Sequence, residues 1–164
     1  MDRAKQPITG MAGPYGHPFH PILVTIPIGA WVTGFVFDLI SRGSDEPYVY
    51  TRGAWWLIAI GIIGALAAAT VGFLDLLAIP AGTPARRTGL LHMGLNLAVV
   101  ALEAIALAAR SGRLHDPAGT GIGLIILAAV ALVLLAASGW LGGKLAYRYG
   151  VRVVDEATQA EGFR

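Results

Sequence analysis

Apolar and polar positions alternate in blocks along this chain. Four stretches, residues 21–40, 54–79, 90–109 and 121–141, run almost without a charged side chain. A bilayer core about 30 Å thick is crossed by about 20 apolar residues in helix. Lipid offers the backbone no hydrogen bonds, so each stretch must be a helix or part of a closed barrel. Barrel strands need only about 10 residues with alternating faces. The pattern therefore predicts an all-α, polytopic membrane protein, a bundle of four transmembrane helices. Between the stretches lie breaker and cap residues: Gly43, Ser44 and Pro47; Pro80, Gly82 and Pro84; then Gly112, Pro117 and Gly119. The reading divides the chain into an N-terminal arm (1–19), a four-span membrane domain (20–150) and a polar tail (151–164).

Within the second stretch, Gly64, Ala68 and Gly72 recur every fourth residue with Gly61 and Ala65 beside them, a ridge that predicts close helix packing. Gly29, Ala30 and Gly34 do the same for the first stretch, where Pro27 predicts a kink.

Four crossings have a consequence that holds for either insertion. The starts of spans one and three lie at the same leaflet as the ends of spans two and four. His17, His20, Asp75, Arg86, Arg87, His92, Lys144, Tyr147 and Arg148 are thereby gathered at one face. Span three adds a stripe: at about 100° per residue, Asn96, Glu103 and Arg110 fall on the wheel face of His92. Glu103 sits near mid-span, where an ionisable side chain costs at least about 2.5 kcal/mol and normally faces the bundle interior. Asp38, closing the first span, shares a face with His20.

Composition narrows the alternatives. Hydrophobic residues make up 55% and charged residues 13% of the 164, about half the charged share of a soluble domain. The absence of cysteine excludes disulfides, thiolate metal sites, iron–sulfur clusters and c-type haem attachment. Basic residues are dispersed, so the lipid bilayer is the expected partner and nucleic acid is not. The two arms and the second loop carry eight Lys and Arg, the other two loops four. That asymmetry predicts a plasma-membrane protein with both termini cytoplasmic. Tyr48, Tyr50, Trp55 and Trp56 then belong to the outer aromatic belt, and Trp140, Tyr147 and Tyr149 to the inner one.

The sequence Gly16-His17-Pro18-Phe19-His20-Pro21 leads into Ile26-Pro27-Ile28-Gly29, with Asp38 closing the span. It is followed by Gly72-Phe73-Leu74-Asp75, by Arg86, His92 and Asn96, and by the glycine-rich run from Gly139 to Val151. Together, over residues 16–154, these resemble the bacterial domain-of-unknown-function 2231 family of small membrane proteins. The resemblance implies a multi-pass helical fold and no settled activity. Relatives joined to Rieske or cytochrome modules imply a respiratory-chain neighbourhood, and some carry a further His where this chain has Thr25.

No nucleophile elbow, phosphate-binding loop or other catalytic constellation is visible, so no enzymatic activity is expected. The expected function is a non-enzymatic accessory or anchor subunit of a membrane electron-transfer system, with a redox protein or a second copy as partner. One alternative is a b-type haem module, with His17 or His20 facing His92, and Arg86, Arg87 and Lys144 meeting the propionates. Span-two glycines would make room for the porphyrin. A second alternative is a divalent-metal site of His17, His20, Asp75 and His92. Asn96 and Glu103 suit a transport path if the protein oligomerises. The bland readings are a proline-capped helix entry at His17 and His20, a packing role for Glu103, and an ion pair between Asp75 and Arg86, Arg87 or Lys144.

Overall fold

The computed structural model describes residues 2–5, 18–112 and 119–163. His17 and much of the loop between spans three and four therefore lie outside the described residues. The elements are α1 (Asp2–Lys5), α2 (Phe19–Leu23), α3 (Thr25–Ser41), α4 (Pro47–Ala78), α5 (Pro84–Ser111), α6 (Ile122–Gly143), a π-helical turn (Lys144–Arg148) and α7 (Glu156–Glu161). Four helical segments are long and apolar enough to cross a membrane: Phe19–Ser41, Pro47–Ala78, Pro84–Ser111 and Ile122–Arg148.

Three spans start or end well beyond the apolar runs that predict them. α4 has 32 residues, about 48 Å at about 1.5 Å per residue. Its first turn is Pro47-Tyr48-Val49, and α5 likewise opens on Pro84, capped by the Thr83 hydroxyl accepting from the Arg86 amide. Proline is favoured at a first turn, where its missing N–H costs nothing, so these helices begin in the interface. The expected kink in span one is a break at Val24, between α2 and α3. Pro27 cannot donate to the carbonyl four residues back, that of Leu23, and beside the break the Thr25 hydroxyl donates to Ile22 O at 2.7 Å.

The helices form a ring in which α4 packs on α3 and α5, and α6 on α5 and α3. The α3 and α5 backbones face each other across the diagonal without close approach, so side chains alone span that gap. At its centre Trp31 of α3 and Val99 of α5 meet Ile58 and Ala131. Burial is inverted relative to a water-soluble protein. Asp38, Asp75, Glu103, Arg110, Thr120 and Ser138 are inside, while Ile63 and Val133 are 69% and 67% exposed, with Ile22, Leu66, Leu77, Leu97 and Ile126 also outward. Such a coat is an aggregation surface in water and the matched surface in lipid.

The glycine ridge of α4 packs as expected, but through sockets for side chains. A Cβ at Gly61 would enter the Trp31 indole, one at Gly64 would meet Ile26 at 2.6 Å, one at Gly53 would meet Phe37 at 2.7 Å, and one at Gly72 would meet the His20 ring at 2.8 Å. The space left by these glycines is thus already filled from α2 and α3, and none of it is free for a porphyrin. At Gly34 of α3 a Cβ would make only ordinary contacts, 3.6 Å from the Leu57 side chain and 3.8 Å from Ala54 O, and Gly29 has nothing nearby.

The Gly61 socket is testable. Gly61→Ala should displace Trp31 from its 3.3 Å hydrogen bond to Ile58 O. The expected loss is about 1–3 kcal/mol of stability from overpacking, read by detergent-induced unfolding together with a shift in tryptophan emission.

Candidate functional site

Polar groups collect at both ends of the α3–α5 diagonal, with the Trp31–Val99 layer between them. At the end where α2 begins, His20 and His92 face each other with ring centroids 6.2 Å apart and planes at 83°. His20 Nδ1 lies 2.9 Å from Ala68 O and His92 Nδ1 lies 2.8 Å from Ser138 O. A carbonyl can only accept, so both Nδ1 atoms carry a hydrogen, and the Nε2 of His92 faces the Asn96 amide. Each ring rests on a glycine: His20 on Gly72, and His92 on Gly142, where a Cβ would stand 3.3 Å away. Although His20 is only the second residue of α2, Ala68 is ten residues from the end of α4, so the pair lies within the bundle.

Asn96 completes this end. Its Nδ2 donates to His92 O at 2.9 Å and to Ser138 Oγ at 2.8 Å, and lies 3.1 Å from His92 Nε2. Ser138 is fully buried, and the sequence reading did not identify it. Its signal was parity again, because it precedes the glycine-rich end of span four on the leaflet that holds His92.

Two residues expected at this site are engaged elsewhere. Asp75 does not join the histidines: its Oδ1 takes Arg152 Nε and Nη2, both at 2.7 Å. Arg152 is also not one of the partners expected for Asp75. The π-helical turn and Gly150, with φ of 65°, fold the tail back over the end of α4. There Arg152, itself at a left-handed φ of 60°, donates its amide to Ala4 O at 2.8 Å. Arg86 is turned away from any propionate position because its Nη1 donates to Leu76 O and, at 3.3 Å, to Ile79 O. It caps the carbonyls that α4 leaves unpaired at its C-terminus. Arg87 is exposed, and Lys144 lies with Nζ 5.7 Å from the Tyr149 ring centroid. Among the described residues no three His, Asp or Glu side chains converge as a metal site.

At the opposite end Asp38 and Arg110 form a bidentate pair across the diagonal, with Nη1–Oδ1 at 2.5 Å and Nη2–Oδ2 at 2.7 Å. Thr120 Oγ1 donates to Asp38 Oδ1 at 2.8 Å. The Thr120 amide donates to Ser41 Oγ at 2.9 Å, and that hydroxyl donates to Asp38 O at 2.7 Å. Gly119 makes the approach possible: at φ 73°, a Cβ would stand 2.5 Å from Ser41 O. Glu103 lies deeper on the same face of α5. The wheel position of Arg110 on the inward stripe and the place of Asp38 at the end of span one do not by themselves pair the two residues. Parity applied to this second leaflet joins them.

A four-span helical bundle with a paired-imidazole site at one leaflet and a buried ion pair at the other is a polytopic membrane protein by fold and by burial. Residues 16–155 match the family described as predicted membrane protein (DUF2231), and the chain belongs to that family. No curated protein and no solved structure matches the chain.

Two outcomes are expected here. Asp38→Asn leaves Arg110 buried without a counter-charge and should cost about 3–5 kcal/mol, measured by unfolding in mixed detergent micelles. Asp75→Asn weakens the hold on Arg152. A charged hydrogen bond worth about 1.5–3 kcal/mol corresponds to tryptic cleavage after Arg152 that is about ten times faster or more, read by mass spectrometry.

Proposed function

We propose that this protein is a membrane-embedded electron-transfer module in which His20 and His92 are the axial pair of a b-type haem. The observation that carries this reading is the matched state of the two rings. Each Nδ1–H is held by a backbone carbonyl of a neighbouring helix, the arrangement that orients a metal-binding histidine and assigns coordination to Nε2. Two imidazoles bound to one ion through bonds of about 2.0–2.1 Å have ring centres about 6 Å apart, close to the 6.2 Å separation here. Among the described residues the donor set is two imidazoles, which suits the axial ligation of haem iron better than a zinc site of three or four side chains.

Asn96 does not oppose the reading. Its two amide hydrogens have acceptors in His92 O and Ser138 Oγ, so releasing Nε2 costs it no hydrogen bond. Arg87 and Lys144 are the residues available for the propionates. Bound haem would supply a one-electron couple. The protein orients the imidazoles, fixes their tautomer and shields the site with the lipid-facing aliphatic coat. We infer too that both termini are cytoplasmic. With Arg110 neutralised by Asp38 and Arg152 by Asp75, the basic excess on the terminal side rests on seven residues against three.

A second reading, a non-enzymatic anchor subunit of an electron-transfer complex, is favoured by two observations. Side chains of α2 and α3 fill the space beside the α4 glycines, and His92 is engaged at both ring nitrogens, by Ser138 and by Asn96.

Absorption spectra separate the two. Protein purified in mild detergent from a haem-replete host should show a Soret band and reduced alpha bands, and His20→Ala and His92→Ala should each abolish them. Wild-type protein that stays colourless after haem addition removes the redox reading and leaves the anchor. Phosphatase fusions should be inactive at both termini and active in the 42–46 loop; the converse would reverse the orientation.

A further inference from the structure

The cluster at the Arg110 end contains a group that its hydrogen bonding does not explain. Asp38 and Arg110 satisfy one another through both oxygens and both terminal nitrogens, and Thr120 adds a third donor to Asp38. This pair is charge-balanced by itself. Glu103, 2% exposed, is a further carboxyl in the same region, and its Oε2 has no hydrogen-bond partner; Arg110 Nε is likewise without one. The charged side chains acting on Glu103 are Arg110, on its own helix, and Asp38, on α3. Arg52 of α4 is exposed, and α6 contributes no charged side chain within its length. An ionised Glu103 would therefore leave one uncompensated negative charge in the hydrocarbon layer, with an acceptor oxygen lacking a donor. Such a burial is far more costly than that of a neutral acid.

We propose that Glu103 is a proton-binding site of the bundle interior, a neutral carboxylic acid that carries one exchangeable proton beside the closed Asp38–Arg110 pair. The reaction is a simple proton equilibrium between the carboxylic acid and its carboxylate. The proton is exchanged with water at the end of the bundle where α5 stops. Arg110 is seven residues further along the helix, about 10 Å at about 1.5 Å per residue. Loss of the proton has a defined structural consequence. The new carboxylate competes with Asp38 for the one guanidinium, whose unpartnered Nε–H is the donor available to it. The clamp between α3 and α5 then loosens at this end, while the Trp31–Val99 layer and the histidine pair beyond it keep their own contacts. The site thus links proton occupancy to the spacing of the diagonal helices. It does not depend on whether His20 and His92 bind haem.

Infrared spectroscopy of the intact protein in phosphatidylcholine vesicles tests this directly. At neutral pH the wild type should show the carbonyl stretch of a protonated carboxylic acid, shifted by deuterium exchange and lost at alkaline pH. Uniform labelling with carboxyl-¹³C glutamate should move the band. Glu46, Glu156 and Glu161 are exposed to water, so a glutamate band from the water-excluded interior reports Glu103. Glu103→Gln should remove the band. Glu103→Asp, which keeps the acid, should retain one that no longer shifts with the glutamate label. No acid band at neutral pH, or a wild-type band unmoved by the glutamate label, overturns the proposal. The labelling arm needs no variant to fold.

Discussion

Hydrocarbon supplies no hydrogen bonds and no screening, so polar groups within this bundle seek partners elsewhere in the chain, with Glu103 Oε2 and Arg110 Nε left over among the described residues. That constraint organises the molecule more than apolar burial does. Lipid tails are as apolar as leucine, so the aliphatic coat gains little by turning inward, and the buried interior is correspondingly small: Trp31, Val99, Ile58 and Ala131 with their half-buried neighbours. The polar layers on either side of it specify which helix faces which. Asp38 and Arg110 at one end connect α3 and α5, whose backbones do not meet, and at the other end His20 of α2 faces His92 of α5.

The two polar layers differ in chemistry. The histidine layer is held by hydrogen bonds to main-chain carbonyls of α4 and α6, which fix its rings without a carboxylate partner. The aspartate–arginine layer is charged and bidentate, and Ser41, Gly119 and Thr120 bring the start of span four onto it. An oriented imidazole pair suits coordination. A closed ion pair beside an unpaired carboxyl suits proton exchange. The apolar layer between them separates the two chemistries.

Much of this was legible in the sequence, because the decisive signals were long-range in physics but simple in pattern. Apolar runs of span length fixed four helices, and four crossings fixed which residues share a leaflet. The wheel position of Asn96, Glu103 and Arg110 relative to His92 fixed the inward face of α5. Pairing was less legible. Arg152 was counted only as a tail charge, since nothing local signals that a π-helical turn and two left-handed residues return it to Asp75. Arg86 was assigned to an anionic ligand because an arginine beside a membrane face gives no sign that helix-end carbonyls will occupy it. Glycines at four-residue spacing announce close packing, yet spacing does not say whether a backbone or an aromatic ring fills the gap.

The sockets along α4 carry one more implication. Gly53, Gly61, Gly64 and Gly72 receive Phe37, Trp31, Ile26 and His20 in reverse order, so the first two spans mesh like a key in its wards. One residue inserted between Gly61 and Gly72 would turn the far half of α4 by about 100°. His20 would lose its seat while the indole kept its own. Indexing of one helix against another thus decides whether the imidazoles meet, independently of how stable the bundle is.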